Sequence, residues 1–215
     1  MPDSTGATLY GYFRSSAAYR VRIALGLKGL SATHKFIHLR KGEQTAPAYL
    51  KVNPAGLVPV WIEDGFHLAQ SLAIIEYLDE THPEPPLLPR GPRERAIARE
   101  IALTVAADIH PIGNLRVLNQ LTGLGIDEAG RGAWSKHWIT LGFDAIEARL
   151  KTLPGPFAFG DRPMIADICI VPQVFNARRF GVDLTPYARI REIDAAAAKL
   201  EAFAAAEPGR QPDAE

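Results

Sequence analysis

The sequence predicts a small α/β domain followed by an all-helical domain. In about the first 80 residues, strand-like stretches alternate with helical ones in the order strand, helix, strand, loop, strand, strand, helix. A segment with five prolines, HPEPPLLPRGP, follows at 82–92 and is typical of a linker between domains. Beyond it, apolar residues recur at helical spacing. We therefore expect an α/β domain at 8–82, a linker at 83–92 and a helical domain at 93–206.

Alternating apolar residues and turn residues predict a mixed sheet in the first domain. Strands are expected at 8–13, 34–39, 57–64 and 66–69. One helix is expected over Ser16–Lys28, with Gly29 ending it, and another over Ser71–Thr81. Val21, Ala24 and Leu25 form the expected buried side of the first helix, while Arg20 and Arg22 should face elsewhere. Pro59 cannot donate to a sheet, which indicates an edge position or a cis peptide bond.

The helical domain is expected to contain four helices. They are predicted at 93–121 with a bend at Pro111, around 134–148, at 165–180 and at 190–206. The polar N-terminal lead, 1–8, and the C-terminal tail, 207–215, are expected to be disordered.

Composition argues against several function classes. The 24 basic and 24 acidic residues balance, which gives no field to attract nucleic acid or anionic lipid. No apolar run approaches the roughly 20 residues of a membrane span. The only cysteine, Cys169, lies in an apolar run and is expected to be buried, so no internal disulfide can form. We expect a cytoplasmic protein without a metal site, a nucleic-acid partner or a membrane partner.

Ser15 and Ser16 stand where the first helix begins. Serine hydroxyls at this position cap unpaired N–H groups, and the helix dipole stabilises an anion there. A thiolate held at such a site has a lowered pKa and is an active sulfur nucleophile. On this stretch alone, an ordinary capped helix is the simpler interpretation, so its role as a site depends on the rest of the chain.

Five motifs, in order, carry a resemblance to a known family. They are FRSSAAYRVRIAL (13–25), NPAGLVPV (53–60), QSLAIIEYLDE (70–80), DIHPIGNLRVL (108–118) and VPQVFNARRFGVDLTPY (171–187). With their spacing, they resemble the cytosolic glutathione transferases and, within them, the zeta class of maleylacetoacetate and maleylpyruvate isomerases. The resemblance implies a thioredoxin-like α/β N-terminal domain, an all-α C-terminal domain, glutathione as cofactor and a homodimer.

The resemblance also implies which residues bind glutathione. Ser15, with Ser16 beside it, would hydrogen-bond the thiolate. The backbone of Val58, before Pro59, would pair with the cysteinyl main chain as one more strand. Ser71 would cap its helix and receive the γ-glutamyl carboxylate. The remaining predicted glutathione contacts are Gln44, Gln70, His110 and Asn114.

Arginines on both sides of the linker are the expected ligands of a dianionic, small-molecule dicarboxylate substrate. A guanidinium binds a carboxylate through two parallel hydrogen bonds. The predicted substrate contacts are Arg14, His110, Arg116 and Arg179, of which Arg14 and Arg179 join the serines as catalytic candidates. His110 and Arg116 are expected on the same bent helix. Taken singly, each arginine is more simply explained by a surface salt bridge.

These residues favour a glutathione-dependent cis–trans isomerase, with maleylacetoacetate as substrate and maleylpyruvate close behind. Ala17 replaces a cysteine found in many zeta members, so the sulfur must be that of glutathione. Two alternatives remain open: a transferase that conjugates or dehalogenates small α-halo acids, and a non-catalytic glutathione-binding protein.

Overall fold

The structure, a computed structural model, describes residues 3–215, and for residues 3–5 it describes the backbone alone. The chain divides into two compact units. The first comprises residues 3–87 together with the C-terminal segment Lys199–Glu215, and the second is Leu88–Ala198. Residues 199–206, which we assigned to the helical domain from the sequence, thus group with the first unit.

The first unit is built on a four-stranded mixed sheet within the described residues. Its strands are β1 (Asp3–Gly11), β2 (Leu30–Phe36), β3 (Val60–Glu63) and β4 (Phe66–Ala69). They lie in the order β2-β1-β3-β4, with β1 and β2 parallel and the other two pairs antiparallel. The predicted mixed sheet is confirmed. The prediction of a disordered lead is wrong for residues 3–8, which belong to β1, while Met1 and Pro2 lie outside the described residues.

Three α-helices accompany this sheet in residues 3–87: α1 (Ser16–Lys28), α2 (Pro47–Leu50) and α3 (Ser71–Thr81). The first and third have the predicted bounds, and α1 ends at Gly29, whose left-handed φ of 67° suits glycine. The segment between β2 and α2 forms short 3₁₀ turns at Leu39–Lys41 and Glu43–Thr45. The core joins both helices to the sheet through Leu9, Val21, Leu25, Trp61, Ile74 and Leu78.

The second unit contains α4 (Pro92–Leu103), α5 (Leu115–Gly123), α6 (Glu128–Leu150), α7 (Ile165–Arg179) and α8 (Ala188–Ala197). The prediction of a single bent helix over 93–121 is wrong. After α4 the chain winds into a π-helix, Thr104–Ile109, and then leaves helical structure until Asn114 caps α5. Pro111 has no N–H to continue the helix, so the interruption falls at this residue rather than bending one continuous rod.

Buried carboxylates fix the helix ends of the second unit. Asp167 accepts hydrogen bonds from the N–H groups of Ala158 and Met164, both at 2.8 Å. Glu147 accepts the N–H groups of Arg189 and Ile190 at 3.0 and 3.1 Å, in the first turn of α8. Glu147 thus satisfies donors in the first turn of α8, while Asp167 joins the N-cap of α7 to the loop before it.

The C-terminal segment contradicts two predictions. In place of one helix over 190–206, α8 ends at Ala197 and a short α9 (Glu201–Ala204) follows. The tail is not disordered, because Pro208–Arg210 forms a 3₁₀ turn and polar groups of the first unit bind the segment. A Cβ on Gly26 would lie 3.1 Å from Ala202, so α1 and α9 approach closely where glycine leaves room. Within residues 3–215, no helix is both long and apolar enough to cross a bilayer.

Candidate active site

Four segments of the first unit meet at one end of the sheet. Tyr10, near the end of β1, pairs with Val60 at the start of β3, and Val60 pairs with Ala69 at the end of β4. Gly11 pairs with Phe36 at the end of β2. The chain therefore leaves β1, β2 and β4, and enters β3, at the same end of the sheet. Each of these connections carries residues that the sequence predicts to bind glutathione.

Ser15 is the N-cap of α1 at this end of the sheet. Its Oγ accepts the N–H of Ala18 at 3.2 Å, and its C=O accepts the N–H of Tyr19 at 2.8 Å. A hydroxyl has one donor and two acceptor positions. Since the cap uses an acceptor position, the Ser15 hydrogen can still be donated to an anion at the positive end of the helix.

Ser16 and Arg14 flank this cap. Ser16 is the first helical residue and does not serve as the cap. The Arg14 guanidinium lies over the Phe13 ring, 5.7 Å from its centroid. Its Nε is buried and has no hydrogen-bond partner among the described residues. Arg14 therefore keeps one donor for a ligand at this end of the sheet.

Gln44 lies in the 3₁₀ turn Glu43–Thr45, on the connection that follows β2. Its side-chain Oε1 is buried and has no hydrogen-bond partner among the described residues. A buried amide oxygen without a partner is unfavourable by about 1–3 kcal/mol, and such an atom is consistent with a place for a ligand donor.

Hydrogen bonds from Tyr49 and Asn53 hold the segment that precedes β3. The peptide bond between Val58 and Pro59 is cis, in agreement with one of the two sequence interpretations of this proline. The C=O of the preceding residue, Leu57, accepts the Tyr49 hydroxyl at 2.6 Å and the Asn53 side-chain amide at 2.8 Å. Val58 thus follows a carbonyl whose hydrogen bonds are satisfied by the protein itself.

The start of α3 differs from the prediction in one respect. Gln70, with φ of 74°, is the N-cap, and Ser71 is the first helical residue, so Ser71 does not cap the helix. No side chain caps this end. The left-handed region is uncommon for residues other than glycine, and such backbone conformations cluster at functional sites. The uncapped N–H groups of an 11-residue helix are suited to a carboxylate.

The other predicted residues lie in the second unit. His110 follows the π-helix, and its N–H donates to the C=O of Val105 at 2.9 Å. Asn114 is the N-cap of α5, and Arg116 is an exposed residue in the first turn of that helix. The prediction that His110 and Arg116 share one helix is therefore wrong. Arg179 is the exposed last residue of α7, with its guanidinium 5.1 Å from the Phe180 ring centroid.

The sequence interpretation missed two residues next to Ser15. Arg22 does not face away from the core: it is buried and donates to the C=O of Phe13 at 3.0 Å. Asp213, in the tail expected to be disordered, accepts the N–H of Phe13 at 2.9 Å. The signal for the first contact was the place of Arg22 between Val21 and Ile23, in a largely apolar stretch of α1.

Family profiles of the glutathione S-transferase N-terminal domain match residues 5–80, and those of its C-terminal domain match 141–206. A probable maleylacetoacetate isomerase of Vibrio cholerae is 48% identical over 96% of this chain and 97% of its own. A solved maleylpyruvate isomerase, described as a zeta-class bacterial glutathione S-transferase, is 47% identical with a TM-score of 0.94, over 97% of this chain and all of its own.

A second solved structure is the maleylacetoacetate isomerase of Methylobacterium extorquens AM1 with bound malonate and glutathione. It is 39% identical with a TM-score of 0.93, over 97% of this chain and 99% of that one. These matches extend over nearly the whole chain. The chain belongs to the glutathione S-transferase family and, within it, to the zeta class.

Proposed function

We propose that this protein is a glutathione-dependent cis–trans isomerase of a dianionic cis-enone, with maleylacetoacetate as the favoured substrate and maleylpyruvate next. The observation that carries the proposal is the arrangement of Ser15 at the start of α1, where its Oγ accepts from Ala18 and its hydrogen is left to donate. Relatives of similar identity include enzymes named for each of the two substrates.

The residues at this end of the sheet fit glutathione. The uncapped start of α3 at Ser71 can receive the γ-glutamyl carboxylate, with Gln70 beside it. The backbone of Val58 can pair with the cysteinyl main chain. The unpartnered Oε1 of Gln44 can accept a donor from the glycyl end. We place His110 and Asn114, in the second unit, among the further glutathione contacts.

Bound glutathione supplies a thiolate that adds reversibly to the double bond, so that the bond rotates before it is restored as trans. The protein's own residues at the start of α1 act on this sulfur. Ser15 donates its hydrogen to the sulfur and, with the α1 dipole, favours the thiolate over the thiol. Ser16 and Arg14 complete the polar surroundings of this position. Because position 17 is alanine, no protein thiol competes for the substrate.

The arginines hold the substrate carboxylates in the proposal. Arg14, Arg116 and Arg179 supply positive charge for two carboxylates, which must stay bound while the middle of the molecule rotates, and His110 adds a polar contact. The relative from M. extorquens has malonate, a small dicarboxylate, bound together with glutathione. A dicarboxylate-binding site next to glutathione is what an isomerase of maleyl compounds requires.

The test is an ultraviolet assay with purified protein, glutathione and either cis-enone diacid. We expect the absorbance of the substrate to change to that of the trans isomer while the free glutathione concentration stays constant. Loss of glutathione in proportion to turnover, with a small α-halo acid as the better substrate, would instead identify a conjugating or dehalogenating transferase. The ratio of kcat/KM for the two maleyl substrates decides between them.

We further propose a homodimer, with the N-terminal domain of one subunit against the helical domain of the other, as the family resemblance implies. Light scattering over a range of concentrations should give twice the mass of the chain, 23.5 kDa. A constant monomer mass would refute the dimer. We also propose a cytoplasmic location, which the single buried cysteine supports because it needs no oxidising compartment.

A further inference from the structure

The chain turns at residues 12–15, immediately before α1. The N–H of Ser15 donates to the C=O of Tyr12 at 3.0 Å, which makes Phe13 and Arg14 the central residues of a four-residue turn. In such a turn, the N–H and C=O of the second residue have no partner inside the turn. Phe13 is buried, so both groups need partners from elsewhere in the protein.

Those partners come from the C-terminal tail and from α1. Oδ2 of Asp213 accepts the N–H of Phe13 at 2.9 Å, across 200 residues of sequence. The Arg22 guanidinium donates to the C=O of Phe13 and to the C=O of Ala206, each at 3.0 Å. One residue of the turn is therefore held on both sides by groups that belong to the tail or are bound to it.

The tail itself is a folded segment. The side-chain amide of Gln211 donates to the C=O groups of Ala205 and Glu207 at 2.8 and 2.9 Å, which closes the chain around the buried Pro208. Past Asp213, Glu215 pairs with His38 on the connection that follows β2. These contacts fix the direction from which the Asp213 carboxylate reaches Phe13.

We propose that Asp213 is a positioning residue for Ser15: by holding the N–H of Phe13, it sets where the turn delivers the Ser15 hydroxyl. The inference rests on the proposed role of Ser15 as the donor to the glutathione thiolate. Asp213 acts through the backbone and touches neither glutathione nor substrate in this account. The C-terminal tail is then a part of the catalytic apparatus of the first unit.

Charge and geometry make opposite predictions for Asp213. A carboxylate near a thiolate disfavours the thiolate, so the negative charge by itself would raise the pKa of the bound thiol. Correct placement of the Ser15 donor lowers that pKa. Asp213→Asn keeps an oxygen that can accept from Phe13 and removes the charge, Asp213→Ala removes both, and Asp213→Glu keeps the charge but moves the oxygens.

The experiment compares these three variants with the wild type by two measurements. Hydrogen exchange of the protein without glutathione, followed by mass spectrometry, reports the amides of the turn and the first turn of α1. Ultraviolet titration of the thiolate reports the pKa of bound glutathione. For Asp213→Ala we expect faster exchange over 13–19, a thiol pKa raised by up to about one, and kcat lowered about 10-fold with little change in KM.

Asp213→Asn should keep the wild-type exchange rates and a thiol pKa no higher than that of the wild type, while Asp213→Glu should change in the direction of Asp213→Ala. Glu207→Gln, which removes an exposed carboxylate of the same tail, is the matched control and should leave both measurements unchanged. Wild-type behaviour of Asp213→Ala, or identical effects of Asn and Ala, would overturn the inference. If the wild type fails to lower the thiol pKa, the role of Ser15 fails and this inference with it. If the wild type lowers that pKa but Asp213→Ala does so equally, this inference alone is wrong.

Discussion

The ammonium of Lys28, at the end of α1, is bound to the carboxylate of Asp79 on α3 at 2.5 Å. Its side chain is fully buried, and its other two donors go to the C=O groups of His82 and Pro85 at 2.7 and 2.6 Å. An ammonium has three hydrogens, and all three are used. The same Asp79 oxygen also accepts the N–H of Leu87 at 2.8 Å, so this pair joins two helices to the chain that leaves the first unit.

Replacing Lys28 by methionine should therefore destabilise the first unit strongly. Methionine has a similar length but removes the ammonium that the Asp79 carboxylate and two carbonyls accept from. Breaking a buried ion pair from one side is expected to lower the free energy of unfolding by about 3–5 kcal/mol. Urea denaturation measures this loss, and Lys51→Met, at an exposed lysine, is the control. Equal midpoints for the two variants would contradict the prediction.

Ser15→Ala should lower isomerase turnover more than Ser16→Ala, because the structure gives the cap and the outward hydrogen to Ser15. Loss of a hydrogen bond to a charged sulfur corresponds to a drop in kcat/KM of about 10- to 100-fold. Loss of the cap also lowers stability by about 1 kcal/mol. The pKa of bound glutathione, titrated by thiolate absorbance, should rise only in the Ser15 variant. Similar kinetics in both variants would remove Ser15 from the mechanism.

Gln44→Ala should weaken glutathione binding while leaving stability intact or slightly raised. The side-chain oxygen has no partner within the described residues, so its removal breaks no internal hydrogen bond and relieves a buried polar atom. One lost hydrogen bond to the ligand predicts an affinity about 2- to 10-fold lower by calorimetry. Gln120→Ala, at an exposed glutamine of α5, is the control. Unchanged affinity together with a lower melting temperature would make Gln44 a structural residue.

Local rules predicted the elements that carry the proposed glutathione site. The bounds of α1 and α3 follow from a serine or glutamine before an apolar helix, from the glycine after α1 and from the proline-rich segment after α3, and these signals are adjacent in sequence. Because proline cannot donate to a sheet, the sequence left two interpretations of Pro59, an edge position or a cis peptide bond. The position of Ser71 was misjudged by one residue, because a glutamine with positive φ is rare as an N-cap and nothing in the sequence announces it.

Contacts between distant parts of the chain could not be predicted in this way. The tail looked disordered because its prolines, glycine and charges match that composition, whereas its order depends on Arg22 and Phe13, far away in sequence. Arg22 was assigned to the outside because a charge is normally exposed. Both errors have one physical source: a polar group is buried when its partner is present, and the partner is not local.

The pH dependence of stability should reveal Asp167. Burial raises the pKa of this carboxyl to about 6, against the opposing effect of the hydrogen bonds from Met164 and Ala158. The folded protein then binds the proton more tightly than the unfolded chain, so the contribution of Asp167 is most favourable at low pH and is lost as pH rises from about 4 to 6. Relative to Asp167→Asn, the wild type should lose about 2 kcal/mol over this range. Urea midpoints of the two proteins that run parallel from pH 4 to 7 would contradict this.

Arg179→Ala should separate an isomerase of dianions from a general transferase. If the distal carboxylate of the substrate leaves water to pair with this guanidinium, its removal costs about 2–5 kcal/mol, or about 30- to 5,000-fold in kcat/KM. The loss should be mostly in KM for maleylacetoacetate or maleylpyruvate. Glutathione affinity should stay nearly constant, because the γ-glutamyl and glycyl contacts belong to the first unit in this proposal.

The neighbouring Arg178 provides a matched control for Arg179. It is also exposed, on the same last turn of α7, and its guanidinium is paired with Asp194 at 2.5 Å. Arg178→Ala should leave the kinetics unchanged, and Arg179→Lys should recover only part of the loss, since one ammonium cannot reproduce two parallel hydrogen bonds. Conjugation of a neutral aromatic electrophile should hardly respond to either substitution, because it has no carboxylate to pair. If Arg179→Ala lowers activity equally toward neutral and dianionic substrates, Arg179 has a structural role and the isomerase proposal loses its charge-based support.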